Sequence, residues 1–258
     1  MAFECAAASH VPLNLPRVVW PMTIRCIDIE TTGIDPAKDA VVEIASVDLV
    51  REGGITNRQE TLVGQTQPVP PESSAVHHLI DADLVGAPLL EEVVDRFKGA
   101  NAYVAHNCEF ERSFLGAYLD PATWICTYKC ALRVWPDLTS HSNQALRYTL
   151  GLVNPHGIDR NSLNPHRALS DAIVTSAIFE RLLKQAAWSD LVQWSSEPAL
   201  LTVFGFGKHR GQRFDQAPRD YLEWIADGQN DLREDVKFSA RYWLARTAIP
   251  PPNSAAVD

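Results

Sequence analysis

The sequence lacks any apolar run of about 18 residues, the length that a membrane-spanning helix needs, although 46% of its 258 residues are hydrophobic. The composition therefore predicts a globular core and no transmembrane segment. The N-terminus also lacks the basic residues that open a signal peptide, and it carries Glu4 instead. We expect no association with a membrane.

Methionine is scarce, since the chain contains two, Met1 and Met22. Met22 stands directly before the first predicted strand. We predict that residues 1–22 form a disordered N-terminal extension, and both methionines stay open as the natural start.

Cysteine forms no CxxC pair, which argues against a structural zinc site. The odd number of cysteines and their apolar surroundings predict reduced thiols and a cytoplasmic protein. The five are Cys5, Cys26, Cys108, Cys126 and Cys130.

Basic residues are outnumbered, because 23 Lys and Arg face 32 Asp and Glu, giving a net charge of −9. An acidic protein attracts nucleic acid poorly over long distances. This argues against non-specific coating of DNA but leaves room for an enzyme with a local basic groove. Bound metal ions would offset part of the negative charge.

The spacing of the apolar residues predicts an α/β fold. Strands are predicted at 24–30, 41–50, 56–64, 102–105 and 123–126, and helices at 73–78, 89–98, 109–118, 128–135, 143–151 and 167–186.

The composition changes after this region, because serine and proline mark a linker over 188–202. Residues 203–247 are predicted as a small C-terminal module with a hairpin or tight loop and two helices. The proline-rich tail, 248–258, is predicted to be disordered.

Two acids, Asp28 and Glu30, end the first predicted strand in the run CIDIETTG. Side chains two positions apart on a strand point to the same face, so these carboxylates repel each other. A divalent cation would reverse that cost, because carboxylate oxygens suit magnesium and manganese. Two exposed acids at a strand end are common, and this pair alone favours a metal site weakly.

Two further motifs supply matching residues. The run AHNCEFERSFL places Glu111 in the first turns of a predicted helix, and HRALSDA places His166 and Asp171 at the entrance of a long helix. Each is ordinary alone, because acids near a helix N-terminus complement the helix dipole.

Together, the order D-x-E, H-N-x-x-F-acid and H-x(4)-D resembles the DEDDh family of metal-dependent 3′–5′ exonucleases over residues 23–186. The resemblance implies a ribonuclease-H-like exonuclease domain over 23–187. Its expected sheet is mixed and five-stranded, of order 3-2-1-4-5, with flanking helices and a small C-terminal appendage. The runs VEIASVDLV, WICTYKCALRVWP, SNQAL, FGFGKHRG and PRDYLEWI are similar to one DNA-directed bacterial member of that family.

The resemblance also implies a mechanism with two divalent cations, Mg²⁺ or Mn²⁺. Asp28 would bridge both ions, Glu30 and Asp171 would complete the first site, and Glu111 would hold the second. His166 would act as the general base, and a 5′-mononucleotide would be released. The family usually has Asp where this chain has Glu111, which is one methylene longer. We expect activity to survive, with a changed metal preference.

Substrate contacts are implied at two places. Six residues would lie near the terminal nucleotide: Thr31, Thr32, Gly33, His77, Leu79 and Asn107. A basic cluster between Phe204 and Phe214 would contact DNA phosphates, and its members are Lys208, His209, Arg210 and Arg213. A solvated basic face and capping-loop histidines remain the alternatives, and for Asn107 the alternative role is to fix the backbone of its own motif.

The leading hypothesis is a 3′–5′ exodeoxyribonuclease of DNA repair or recombination, acting on single-stranded or duplex 3′ ends. An RNA-trimming enzyme of the same family is one alternative. An inactive nucleic-acid-binding module is another, with Glu111 as its sole support. The sequence leaves a monomer and a homodimer equally open.

Overall fold

The computed structural model describes residues 22–228 and 231–247. The predicted disorder of residues 1–21 and 248–258, and Cys5, lie outside the described residues. Within the described ranges, no helix has the length and apolar character needed to cross a membrane. The four described cysteines are buried free thiols.

A five-stranded sheet of order β3-β2-β1-β4-β5 forms the centre of the fold. β1 pairs antiparallel with β2, which pairs antiparallel with β3, whereas β1, β4 and β5 are parallel neighbours. The mixed sheet and strand order expected from the sequence are confirmed. The strands are β1 Ile24–Thr31, β2 Val41–Leu49, β3 Ile55–Leu62, β4 Ala102–Ala105 and β5 Thr123–Cys126.

The helices α1 to α9 are Pro71–His77, Leu90–Val93, Glu109–Leu119, Thr127–Val134, Asn143–Thr149, Ala168–Leu183, Trp188–Ser196, Arg219–Ala226 and Glu234–Thr247. The helix predicted at 89–98 is interrupted, because α2 gives way to a 3₁₀ turn, Val94–Phe97. Adjacent β-branched residues, Val93 and Val94, lower the helix propensity at the break.

The sheet has a hydrophobic cluster on each face. Ile24 and Cys26 of β1 pack with α6 residues in one cluster, whereas Ile27 and Ile29 belong to the other. Because side chains alternate along a strand, Asp28 and Glu30 share the face of Ile24 and Cys26. The acids of β1 therefore face the α6 side of the sheet.

The predicted linker, 188–202, contains helix α7. Leu191 is fully buried, and the Ser195 hydroxyl accepts a 2.8 Å hydrogen bond from the Cys126 amide at the end of β5. Much of this segment is therefore packed against the sheet. The C-terminal module has its own core, which includes Phe204, Phe214, Leu222, Ile225, Val236 and Ala240.

Candidate active site

Three carboxylates converge where β1 meets α6. Asp28 and Glu30 extend from β1 and Asp171 from the first turn of α6, and one oxygen of each lies within 4.8 Å of the others. Glu30 is 9% exposed and Asp171 is 8% exposed. Such a cluster of hard oxygen donors suits a divalent cation.

Burial and mutual repulsion disfavour the charged forms of these acids. The pKa of Asp28 is raised well above its usual range by burial, and then by the carboxylates of Asp171 and Glu111. Burial, with Asp171 next, raises the pKa of Glu30 to about 8. A bound cation would relieve this cost, because it favours the ionised carboxylates.

Asp171 is held by donors from two other segments. Its Oδ2 accepts from the backbone amide of His166 at 2.8 Å, and its Oδ1 accepts from the Gln144 side chain at 2.7 Å. Gln144 in turn accepts from the buried guanidinium of Arg147 at 3.2 Å. Burial still raises the pKa of Asp171, because these donors offset only part of it.

His166 precedes α6 with φ 58°, a left-handed conformation. The side chain is exposed at the entrance of the helix. The His166 backbone amide donates to Asp171, and this bond fixes the turn that carries the imidazole.

Glu111 is the fourth acid that the sequence indicated. It is 3% exposed on α3, and its Oε2 has no hydrogen-bond partner among the described residues. Burial raises its pKa well above the usual range. Glu109, two positions earlier, is exposed and forms an ion pair with Lys129, so it does not take the place of Glu111.

Glu43 is an acid that the sequence analysis missed. It faces Glu30 across the β1–β2 pair and is 2% exposed. Arg167 binds both of its oxygens, and the amide of Ala168 donates to Oε2 at 2.9 Å. The pair fixes the start of α6 to β2. An acid within an apolar strand was the available signal.

Gln144 and Arg147 were also missed as site residues, although the run SNQAL was noted. Arg147 is 1% exposed and donates to the carbonyls of Val153 and Arg160 as well as to Gln144. A long-range contact of this kind leaves no periodic pattern in the sequence.

The loop after β1 is tightly braced. The Thr32 amide and hydroxyl pair with the backbone of Ala40, and the Thr31 hydroxyl donates to the Gly33 carbonyl. A Cβ on Gly33 would lie 2.4 Å from a carboxylate oxygen of Asp39. A side chain at this position would displace Asp39, whose carboxylate accepts from the Asp35 amide.

The other residues predicted to contact the nucleotide differ in their exposure to solvent. Asn107 is exposed with φ 75° at the turn before α3. His77 is 1% exposed and its Nδ1 accepts from the Leu79 amide, while Leu79 is 4% exposed in a cluster with Val42. Both side chains are therefore part of the packing behind the loop.

The predicted basic cluster lies in the C-terminal module. Lys208 and Arg210 are exposed, whereas His209 pairs with Gln212. Arg213 forms ion pairs with Asp215 in its own module and with Asp137, beyond α4. Arg213 therefore links the module to the segment that follows α4.

The sequence model of the exonuclease family RNase T matches residues 26–179. Exodeoxyribonuclease 10 (exonuclease X) of Escherichia coli strain K12 is 35% identical over 231 residues, which cover 87% of this chain and all of that protein. The similarity to this relative therefore extends beyond residues 26–179, the part of the chain that the family model matches. DNA polymerase III subunit epsilon of Aquifex aeolicus strain VF5 is 32% identical over 63% of this chain and 81% of its own length.

Solved structures show the same fold. Exonuclease X in complex with 5′ overhanging duplex DNA is 33% identical, with a TM-score of 0.56, over 67% of this chain and 99% of that one. The nuclease domain of 3′hExo, described as a DEDDh family member bound to rAMP, has a TM-score of 0.52 at 17% identity, over 66% and 95% of the two chains.

Proposed function

Because this chain belongs to the RNase T family of exonucleases, we propose that it is a metal-dependent 3′–5′ exodeoxyribonuclease that releases 5′-mononucleotides from DNA 3′ ends. The observation that carries the proposal is the convergence of Asp28, Glu30 and Asp171 within 4.8 Å. The DNA preference is supported by the 35% identical relative, which is named as an exodeoxyribonuclease.

The residues fit divalent cations such as Mg²⁺ or Mn²⁺. All the clustered donors are carboxylate oxygens, and the buried Oε2 of Glu111 lacks a partner among the described residues. Asp28, Glu30 and Asp171 would hold one ion, and Asp28 together with Glu111 would hold a second. Bound cations would supply charge stabilisation to the attacking and leaving oxygens of the phosphodiester.

The protein's own groups perform the remaining tasks. We assign His166 as general base, because its side chain is exposed at the entrance of α6, its backbone amide binds Asp171, and histidine is the residue that most often serves as a general base. The braced backbone of Thr31, Thr32 and Gly33 would position the terminal nucleotide. The exposed Asn107 would offer a further contact to it. Arg167 keeps α6, and hence Asp171, on β2.

The test compares matched DNA and RNA oligonucleotides that carry a label at the 3′ or the 5′ end, with Mg²⁺, with Mn²⁺ and with EDTA. Release of mononucleotides from the 3′ end of DNA, abolished by EDTA and by Asp28→Asn, is expected. Preferential trimming of RNA would retain the chemistry and overturn the DNA assignment and the proposed role in repair or recombination.

Metal binding provides a separate measurement. Mn²⁺ should raise the melting temperature of the wild-type protein and raise it much less in Asp28→Asn. Asp95→Asn, at an exposed ion pair with Lys98, is the matched control and should keep the full shift. An absent shift and absent cleavage, with DNA binding retained, would favour a nucleic-acid-binding module.

A further inference from the structure

The C-terminal module carries an exposed aromatic surface that the catalytic assignment does not use. Tyr221 and Trp224 of α8 stack with ring centroids 5.6 Å apart and planes 21° apart. Trp224 is 53% exposed. Together with Lys208 and Asp220 they line a surface hollow of about 330 Å³.

Rings of the module support the Tyr221 side of the stacked pair. Tyr221 lies 4.4 Å from the His209 ring and 5.7 Å from Phe204, centroid to centroid, and Phe204 stacks on Phe214 in the module core. The Tyr221 and Trp224 rings are therefore oriented before any ligand arrives, which reduces the entropy lost on binding.

Positive charge lies next to these rings. Lys208 Nζ is 5.1 Å from the Tyr221 ring centroid, and Arg210 is exposed two residues later. The run from Phe204 to Phe214 contains no acid, in a chain whose net charge is −9. Aromatic faces with adjacent cations match the bases and phosphates of a single nucleic-acid strand.

We propose that Tyr221, Trp224 and Lys208 form a second DNA-binding site, in which bases of single-stranded DNA stack on the rings while Lys208 contacts a phosphate. The proposal rests on the DNA substrate proposed above. Duplex DNA is a poorer ligand there, because its base faces are stacked on each other.

The attachment of the module makes this site useful to the nuclease. Arg213 pairs with Asp137, and the Arg133 guanidinium of α4 lies 5.6 Å from the Phe238 ring and 5.7 Å from the Tyr242 ring of α9. A strand held on the module therefore stays tethered to the nuclease domain after each cleavage, which raises its effective concentration there.

Asp220 reduces the contribution of positive charge to DNA binding at this site. Its carboxylate lines the same hollow and accepts from the Tyr221 amide at 2.9 Å, so one negative charge offsets one cation. The affinity of the site should depend more on stacking than on charge.

Binding of fluorescent single-stranded DNA and blunt duplex DNA is measured in EDTA with the Asp28→Asn protein, conditions under which no cleavage is expected. Trp224→Leu should raise the Kd for the single strand about tenfold, and Trp224→Phe about two- to threefold, because phenylalanine keeps an aromatic face. Lys208→Ala should lower the slope of log Kd against log salt concentration by about one, while Trp224→Leu leaves the slope unchanged. Lys184→Ala, on an exposed lysine after α6, is the control for a lost charge.

Equal effects of Trp224→Leu on single-stranded and duplex DNA, or equal effects of the Leu and Phe substitutions, would overturn the proposal. Kinetics give an independent check: Trp224→Leu should raise KM for a 30-nucleotide substrate about tenfold and leave cleavage of a dinucleotide unchanged. If no substrate is cleaved by the wild type, the proposed function fails, while the binding experiment still decides the second site.

Discussion

Gln144 donates its side-chain amide to Asp171 Oδ1 at 2.7 Å, across 27 residues of sequence. The orientation of the amide is set by Arg147, which donates to the Gln144 oxygen at 3.2 Å. Because the amide cannot rotate without losing that bond, the Asp171 carboxylate is held in a single orientation. Partners of this kind tune metal affinity through the ligands they hold.

Gln144→Leu should therefore weaken Mn²⁺ binding by on the order of tenfold, while the fold is retained. Titration of the melting temperature with Mn²⁺ measures the loss directly. Gln193→Leu, at an exposed position of α7, is the matched control and should bind Mn²⁺ like the wild type. Unchanged affinity in Gln144→Leu would show that Asp171 is positioned by the His166 amide alone.

Glu43→Ala should destabilise the protein by about 2 kcal/mol. Breaking a buried ion pair ordinarily costs about 3–5 kcal/mol, and here it leaves Arg167 and the Ala168 amide without their acceptor. Loss of the Glu43 charge also relieves Asp28 and Glu30, whose pKa values it raises, and this gain offsets part of the cost. Urea unfolding of the metal-free protein measures the difference. Asp95→Asn, at an exposed pair, should change stability little.

The pKa of Glu30 predicts how the stability of the metal-free protein depends on pH. Its pKa rises from an ordinary value of 4.5 to about 8 on folding, so the folded state binds this proton more tightly than the unfolded chain. The free energy of unfolding should fall as pH rises between these two values, by at most about 1.4 kcal/mol per pH unit for one proton.

Glu30→Gln removes this titrating carboxyl group and should flatten the pH dependence of the free energy of unfolding. It should not abolish that dependence, because Asp28 and Asp171 also have raised pKa values. Mn²⁺ competes with the same protons, so its affinity for the wild type should increase over this pH range. Urea unfolding at pH 5, 6, 7 and 8, with and without Mn²⁺, tests both statements. A stability that rises with pH in EDTA would contradict them.

The position of β1 and its acids could be predicted from local patterns, whereas the strand order of the sheet was implied by the family resemblance. Alternation along β1 places Asp28 and Glu30 on one face whatever surrounds them. The partners of these acids could not be predicted in this way. Glu43 meets Glu30 through the β1–β2 register, and Gln144 meets Asp171 through the packing of α5 on α6.

The segment predicted as a linker shows a different limit. Serine and proline made its composition resemble a connection, yet Leu191 and Ser195 lie one helical turn apart and both are buried. The Ser195 hydroxyl accepts a hydrogen bond from the Cys126 amide and donates one to the Leu191 carbonyl. Composition counts a serine as polar, whereas the fold supplies hydrogen-bond partners that let it enter the interior.

Glu111 provides the sharpest test of the proposed site, because its substitution should move stability and activity in opposite directions. The carboxyl is buried with a raised pKa and an unpartnered Oε2 among the described residues, so the metal-free protein must either bury its charge or take up a proton on folding, and both are destabilising at neutral pH. Glu111→Gln keeps the shape and removes the charge. The melting temperature in EDTA should rise. The value of kcat should fall by about 100-fold or more, because the second ion would lose a carboxylate ligand; each tenfold loss corresponds to about 1.4 kcal/mol of lost transition-state stabilisation.

Glu111→Asp introduces the residue that the family resemblance leads us to expect here and should stay within about tenfold of wild-type kcat, with the ratio of Mn²⁺- to Mg²⁺-supported activity shifted. The shorter side chain draws the carboxylate back towards α3, and a ligand acting through water tolerates that change in reach. Glu109→Gln is the control, because Glu109 is exposed and paired with Lys129, and it should leave both metal activities unchanged. Wild-type cleavage by Glu111→Gln would mean that Glu111 has no part in holding a second ion.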